Sequence, residues 1–120
     1  MTADDLFELQ QQGDVTIVRF IENRALDSMA ISQMSDSLFQ VVDQESAVKL
    51  VINLQAVTFI SSIALNRLIL LKNLITQRDG LLKLVEMTSE VRQVFEVSRL
   101  DTLFDIVDDK ATALEQLGQG

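Results

Sequence analysis

The chain has 120 residues, of which 48% are hydrophobic and 23% are charged, and its formal net charge is −8. This length and composition are typical of one globular domain with a single core rather than of a disordered chain. The negative charge disfavours binding to nucleic acid or anionic lipid, and the apolar runs are too short to insert across a membrane. The acidic start, MTADDLFELQ, lacks the features of a signal peptide, so we expect a cytoplasmic protein.

The sequence contains neither cysteine nor histidine. The absence of cysteine excludes a thiolate nucleophile, a disulfide and a thiolate metal site. The absence of histidine removes the usual base near neutral pH and the commonest transition-metal ligand. The acidic residues are scattered, and no pair of them stands out. We therefore expect no metal, no cofactor and no enzymatic activity.

The N-terminal segment predicts a β-hairpin. Two strand-like pieces, Leu6–Gln11 and Val15–Phe20, flank the pair Gly13-Asp14, which suits a tight turn because glycine tolerates positive φ. Residues 21–26 are predicted to form a loop.

A first helix follows this loop. Asp27 or Ser28 is expected to cap its N-terminus. Its apolar residues recur at a spacing of three to four, which indicates one buried face formed by Ile31, Met34, Leu38, Val41 and Val42.

The strongest pattern in the chain runs from Val48 to Ile75. The apolar run from Val48 to Leu54 is rich in Val and Ile, which is typical of a parallel strand buried on both faces. Ser61 and Ser62 then precede a second helix, and a serine at this place caps a helix by accepting a bond from a backbone N–H. Its hydroxyl lies where the helix dipole favours an anion.

The C-terminal part predicts two more strand–helix units. Gly80 is expected to end the second helix in the left-handed conformation. Strands are predicted over Leu81–Met87 and Phe104–Val107. The helices after them begin at Thr88-Ser89-Glu90 and Asp108-Asp109. The side chains expected to face the core are Val91, Val94, Phe95, Leu100, Leu103, Ala113, Leu114 and Leu117.

The predicted order of elements is therefore ββαβαβαβα. Strands that alternate with helices require right-handed crossovers and a parallel sheet. We predict one α/β domain over residues 1–120, with a mostly parallel sheet, an antiparallel N-terminal edge strand and flanking helices.

The second helix is apolar on more than one side. At ~100° per residue, its predicted core face comprises Leu65, Leu68, Ile69, Leu71 and Ile75. Ile63, Leu70 and Leu74 fall on the opposite side, flanked by Arg67 and Asn66, and we expect them to be exposed and to bind a partner or a second copy of the chain. The alternative is that they are isolated surface residues without a function.

Two stretches carry a resemblance to a known family, namely VINLQAVTFISSIAL (Val51–Leu65) and VFEVSRLDTLFDIVDD (Val94–Asp109). In register and spacing they resemble the strand-to-helix signature and the Phe-centred helix of the STAS domain, the fold of bacterial anti-sigma factor antagonists. The resemblance extends from Leu6 to Leu117 and includes the length and the order of elements.

The resemblance implies a protein that binds an anti-sigma factor, often a serine kinase, and so frees a sigma factor for transcription. In such a partner switch the kinase phosphorylates one serine at the start of the second helix. That serine corresponds to Ser62, with Ser61 as the second choice. The residues expected to bind the partner are Ser61, Ser62, Ile63, Arg67, Leu70 and Leu74.

The sequence departs from the family signature around this serine. Ser61 stands where the family usually has Asp, Ile63 where it usually has a second hydroxyl residue, and Ala64 where it usually has Gly. The alternative interpretation is that Ser61 and Ser62 only cap and begin a helix, which is a common use of serine.

Two other functions are compatible with the same fold. One is a non-phosphorylated STAS scaffold or accessory subunit, in a stress-signalling assembly or a lipid transporter complex. The other is a small-ligand sensor, since strand-to-helix turns of parallel sheets form anion pockets. The lack of a Gly-rich phosphate loop makes the sensor the weakest of the three hypotheses.

Overall fold

The computed structural model describes residues 7–20, 24–26, 36–40, 42 and 47–118. Within these ranges the elements, in chain order, are β1 (Phe7–Gln12), β2 (Val15–Phe20), β3 (Arg24–Leu26), α1 (residues 36–40 and 42), β4 (Lys49–Asn53), β5 (Val57–Ile60), α2 (Ser62–Gln77), β6 (Leu81–Val85), α3 (Ser89–Val97), β7 (Asp105–Val107) and α4 (Lys110–Gln116). A 3-10 turn at Leu100–Thr102 connects α3 to β7. In this part of the chain no helix has the length and hydropathy needed to cross a bilayer.

The main sheet has five strands in the order β1-β2-β4-β6-β7. β1 lies at one edge and pairs antiparallel with β2, whereas the other neighbouring strands are parallel. The turn between β1 and β2 requires positive φ, and Gly13 adopts 62° there. This topology confirms the predicted sheet, parallel from Val15 onward with an antiparallel edge strand.

The sequence does not predict the second sheet, in which β3 and β5 pair in parallel. The loop expected over residues 21–26 is wrong for Arg24–Leu26, and the segment between β4 and α2 contains a strand as well as a turn. With three and four residues, these strands are too short to show a period of two in the sequence.

Helices cover both faces of the main sheet. One buried cluster joins α2 and α3 to the sheet through residues that include Phe20, Leu50, Ile52 and Leu84. A second cluster joins α4 to the opposite face, where Ala113, Leu114 and Leu117 are buried as predicted. Because successive strand residues point to opposite faces, the β4 run is buried on both sides. This burial confirms that β4 is a central strand.

The predicted inward face of α3 is largely confirmed. Val91 and Phe95 are buried, and Val94 is half-buried. Leu100 is half-buried against the core, but Leu103 is exposed. The expectation that Leu103 faces the core is therefore wrong, because Leu103 follows the 3-10 turn at its C-terminal end and its side chain lies on the surface.

Gly80 is needed for a different reason from the one predicted. The left-handed residue at the end of α2 is Asp79, with a φ of 62°. A Cβ on Gly80 would lie 2.5 Å from the carbonyl oxygen of Val48 and 2.8 Å from Cγ2 of Ile75. Glycine is therefore required here by the close approach of the chain before β4, not by its own φ.

Part of the predicted first helix is described, and there Leu38 and Val42 are buried as expected. Several other predictions lie outside the described residues. They concern Leu6, Asp27, Ser28, Ile31, Met34, Val41, Gln119 and Gly120.

Candidate functional site

Two adjacent serines at the start of α2 have different surroundings. Ser61 is the N-cap, with an extended backbone at φ −82° and ψ 163°. Its Oγ accepts a hydrogen bond from the backbone N–H of Ala64 at 3.1 Å, and its carbonyl accepts one from Leu65 at 3.0 Å. These bonds satisfy backbone donors that the first turn of a helix otherwise leaves without partners. Ser61 therefore has a structural role at this helix start.

Ser62 is the first residue of α2, and its side chain is exposed. Among the described residues its hydroxyl has no hydrogen-bond partner. It lies at the positive end of the α2 dipole, and the first turn contains no acidic residue. An added phosphate would therefore meet favourable helix electrostatics and no neighbouring carboxylate on this turn.

The outer surface of α2 bears the apolar residues predicted for it, with one correction. Ile63 and Leu70 are 52% and 55% exposed, as predicted. Leu74 is half-buried and packs against the core, so the prediction that it is exposed is wrong. The buried face of α2 is centred on small Ala64 and comprises Ala64, Leu68, Leu71 and Ile75. Compared with the predicted face, the buried face is therefore shifted around the helix axis toward Ala64. Leu74 lies at the edge of this buried face.

Phe59 is a further exposed apolar side chain near the start of α2, although the sequence does not single it out. It lies in β5, two residues before the N-cap, and is 56% exposed. The burial of β5 does not alternate, since Val57 and Ile60 are buried and the two residues between them are exposed. A strand without alternation gives no signal for the orientation of one aromatic side chain. We define Phe59, Ile63 and Leu70 as the apolar strip.

A hydrogen-bonded turn positions β5 and the start of α2. The side-chain oxygen of Asn53, which is buried at the end of β4, accepts the backbone N–H of Gln55 at 2.8 Å. The backbone N–H of Val57 donates to the carbonyl of Leu54 at 3.0 Å. Side-chain bonds of this kind are a common way in which Asn holds a turn. The turn directs the chain out of the main sheet and toward Ser61.

The charges of the described residues are unevenly distributed around this site. Helix α2 contains the cations Arg67 and Lys72 and no carboxylate. The described ion pairs, Glu8–Arg19, Asp14–Lys49, Lys83–Asp105 and Arg92–Asp108, involve none of the α2 residues. The surface of α2 is therefore apolar and cationic on a chain whose net charge is −8.

Two carboxyl groups in the described part of the chain have an altered pKa, and both lie outside α2. The hydrogen bond from the Lys49 ammonium holds the pKa of Asp14 below its usual value. The backbone N–H of Thr112 donates to Asp109 and lowers the pKa of that carboxyl group. Both groups stabilise turns or helix starts, so neither indicates a reactive centre at the start of α2.

Residues 7–113 match the sequence profile of the STAS domain. The chain belongs to the STAS domain family. This result confirms the resemblance carried by Val51–Leu65 and Val94–Asp109, since both stretches lie inside the matched range.

Solved structures agree with the STAS fold. TM1081 of Thermotoga maritima is 22% identical, with a TM-score of 0.83 and coverage of 95% of this chain and 96% of that one. An anti-sigma-factor antagonist STAS domain protein of Planctomyces limnophilus is 19% identical, with a TM-score of 0.83 and coverage of 93% and 97%. The unphosphorylated anti-sigma factor antagonist SpoIIAA is 19% identical, with a TM-score of 0.77 and coverage of 93% and 96%. At these identities the structures establish the shared fold.

Within this STAS domain, the predicted site residues lie along one helix. Ser61, Ser62, Ile63, Arg67 and Leu70 all belong to α2 or its N-cap. Their roles in phosphorylation and partner binding stay predictions. The arrangement offers an exposed hydroxyl beside a surface of apolar and cationic side chains.

Proposed function

We propose that this STAS domain is an anti-sigma factor antagonist of the cytoplasm. It binds an anti-sigma factor that is also a serine kinase, and this binding frees a sigma factor for transcription. The kinase ends the interaction by phosphorylating Ser62. The observation that carries the proposal is the exposed hydroxyl of Ser62, which has no hydrogen-bond partner among the described residues and stands next to a serine that already caps the helix.

The division of roles between the two serines supports the choice of Ser62 as phosphoacceptor. A kinase needs access to a hydroxyl that the fold does not require. Ser61 binds the N–H of Ala64, so modifying it would alter the cap. Ser62 makes no such bond among the described residues and is exposed. Modification of Ser62 should therefore leave the domain folded.

The charge of a phosphate supplies the switching step. Phosphorylation adds roughly 1.5 to 2 negative charges and three acceptor oxygens at neutral pH. At a helix N-terminus this charge is compatible with the dipole of the domain itself. Against a partner, the same charge must lose its hydration without an assured counter-ion, which weakens the interface. The predicted result is release of the partner without unfolding.

The apolar strip supplies the binding surface of this proposal. Phe59, Ile63 and Leu70 are each more than half exposed. Aromatic and large aliphatic side chains in the centre of an interface commonly carry most of its binding free energy. Arg67 lies one helical turn after Ile63 and would contact a carboxylate or a backbone carbonyl of the partner.

An alternative proposal keeps the binding surface and removes the phosphorylation. Ser61 occupies the place where the family usually has Asp, which favours a scaffold or accessory STAS domain that is not a kinase substrate. A sulfate transporter family protein of Wolinella succinogenes has the same fold, with 14% identity, a TM-score of 0.68 and coverage of 87% and 84%. Under this alternative the chain binds a partner, and Ser62 stays unmodified.

Phosphorylation and mass spectrometry distinguish the two proposals. The chain is incubated with ATP and a serine-kinase anti-sigma factor of the same organism, and the modified residue is located in peptides. The switch predicts one phosphate on Ser62 and none on a Ser62→Ala variant. The matched control is Ser89→Ala, because Ser89 is the first residue of α3 and is also exposed.

The phosphorylation experiment has three informative outcomes. Phosphate on Ser62 that lowers affinity for the kinase supports the switch. Phosphate on Ser61 or Ser89 with Ser62 unmodified contradicts the choice of residue. Stable binding with no phosphate on any residue favours the accessory role.

A further inference from the structure

The strand that leads to Ser62 is not part of the main sheet. β5 pairs only with β3 among the described strands, and the register of that pair is irregular between Arg24 and Ala25. Its position relative to the main sheet therefore depends on other contacts. These include the turn after β4 and the buried side chains of Val57 and Ile60.

Thr88 supplies a further contact, from the loop between β6 and α3. Its hydroxyl donates a hydrogen bond to the carbonyl oxygen of Val57 at 3.1 Å. The Oγ1 of Thr88 also accepts a hydrogen bond from the backbone N–H of Val91 at 3.4 Å, and this bond caps α3. A hydroxyl has one proton to donate and lone pairs to accept, so both bonds form at once. Thr88 thus joins the start of α3 to the start of β5.

We propose that Thr88 is a positioning residue for the turn at Ser61 and Ser62. Val57 is fully buried, so its carbonyl depends on a protein partner such as the Thr88 hydroxyl. Only three residues separate Val57 from Ser61, and all three belong to β5. A displacement of the α3 start therefore moves β5 and the N-cap of α2 together.

This connection gives the start of α3 influence over the proposed switch. Ser89 and Glu90, which follow Thr88, are exposed and available to a partner. A partner contact that displaces the start of α3 would act through Thr88 on the presentation of Ser62, whereas a charge on the exposed Ser89 side chain that leaves the start of α3 in place would not. The meaning of this effect for partner release rests on the proposed function, whereas the connection itself is a property of the isolated chain. A claim that two sites are coupled must be tested by measuring the effect of one on the other.

Three substitutions separate the connection from the cap. Thr88→Ser keeps both hydrogen bonds. Thr88→Asp keeps an acceptor for the N–H of Val91 but, when ionised, has no proton to donate to Val57. Thr88→Val removes both bonds without adding charge. Asp109→Ala is the matched control, because Asp109 caps α4 and has no bond to β5 among the described residues.

Amide hydrogen exchange of the isolated chain tests the proposal. In Thr88→Asp, the N–H groups of Val57 and Ala64 should exchange roughly tenfold faster, while that of Val91 stays near the parent rate. In Thr88→Val all three should accelerate, and in Thr88→Ser none should. The N–H of Leu81, bonded to the carbonyl of Val48 in the main sheet, serves as the reference and should not change.

Two results would overturn the proposal. One is an unchanged exchange rate at Val57 and Ala64 in Thr88→Asp and Thr88→Val. The other is an equal acceleration at Leu81, which would mean that Thr88 contributes only to global stability. Because no kinase is present, neither result depends on whether Ser62 is a phosphoacceptor, and the proposed function is tested separately by its own phosphorylation experiment.

Discussion

The Oγ of Ser61 lies 3.1 Å from the backbone nitrogen of Ala64 and caps α2, which leaves the hydroxyl of the next residue, Ser62, exposed. One serine stabilises the helix start, and the side chain of its neighbour is exposed to solvent. This relationship makes the two residues separable by mutation.

Removing the cap should lower stability without abolishing the site. Ser61→Ala is expected to reduce the free energy of unfolding by about 1 kcal/mol, because the N–H of Ala64 loses its acceptor. Ser61→Asp should retain the parent stability, since a carboxylate accepts the same bond and suits the helix dipole. Urea titrations of the three proteins test this. Equal stability of Ser61→Ala and the parent would contradict the assigned cap.

Neighbouring leucines of α2 should differ in what they contribute. Leu70→Glu is expected to change the free energy of unfolding by less than about 0.5 kcal/mol, because Leu70 is exposed. Leu71→Ala should lower it by about 2–5 kcal/mol, because Leu71 is buried. Chemical denaturation measures both values. Leu70→Glu should also weaken partner binding, as titration calorimetry would report.

Two results for Leu70→Glu would contradict the proposed binding surface. If Leu70→Glu melts far below the parent, Leu70 belongs to the core and the apolar strip is not a binding surface. If it is stable and binds normally, the interface lies elsewhere on the domain.

The sequence predicts the main sheet well because its strands have clear patterns. Val15–Phe20 has the observed bounds of β2, and the apolar run around Lys49–Asn53 marks a strand buried on both faces. The same patterns predict the element order and the helix start at Ser61 and Ser62, and the family resemblance selects Ser62 as the expected phosphoacceptor. The short strands Arg24–Leu26 and Val57–Ile60 carry no such pattern and are missed.

The errors on α2 have a common physical cause. A hydrophobic pattern gives most weight to large side chains, whereas the buried face is centred on Ala64, whose small side chain lets the helix approach the sheet closely. Because the buried face is centred on Ala64, Leu74 lies at the edge of the core, and Leu65 and Ile69 are only half-buried. The connection through Thr88 joins two segments 31 positions apart, so no local pattern predicts it.

The close approach at Gly80 predicts opposite effects at adjacent positions. Gly80→Ala should lower the free energy of unfolding by about 1–3 kcal/mol, because its Cβ meets the carbonyl of Val48. Asp79→Gly should leave stability unchanged or slightly higher, because Asp79 holds the left-handed conformation that glycine prefers. Thermal unfolding of both variants tests this. A neutral Gly80→Ala would contradict the assigned contact.

The cap of α4 should contribute to acid sensitivity. The N–H of Thr112 lowers the pKa of Asp109 in the folded chain from its ordinary value of 3.8. The ionised Asp109 therefore contributes to stability above its ordinary pKa, and this contribution is lost as the pH falls through the pKa of the folded chain. Asp109→Asn retains an acceptor and does not titrate. The stability of the parent relative to this variant should fall on acidification; a difference that is constant with pH would contradict the assignment.

The most direct test of the account is the effect of a charge at Ser62 on partner affinity. Calorimetry compares Ser62→Asp with Ser89→Asp, which places the same charge at the exposed start of α3. Ser62→Asp should weaken binding to the kinase-type anti-sigma factor by about 2 kcal/mol or more, roughly thirtyfold in Kd. Ser89→Asp should bind like the parent, and both variants should melt near the parent temperature. Parent-like affinity of Ser62→Asp, its unfolding, or an equal loss in Ser89→Asp would contradict a release switch at Ser62.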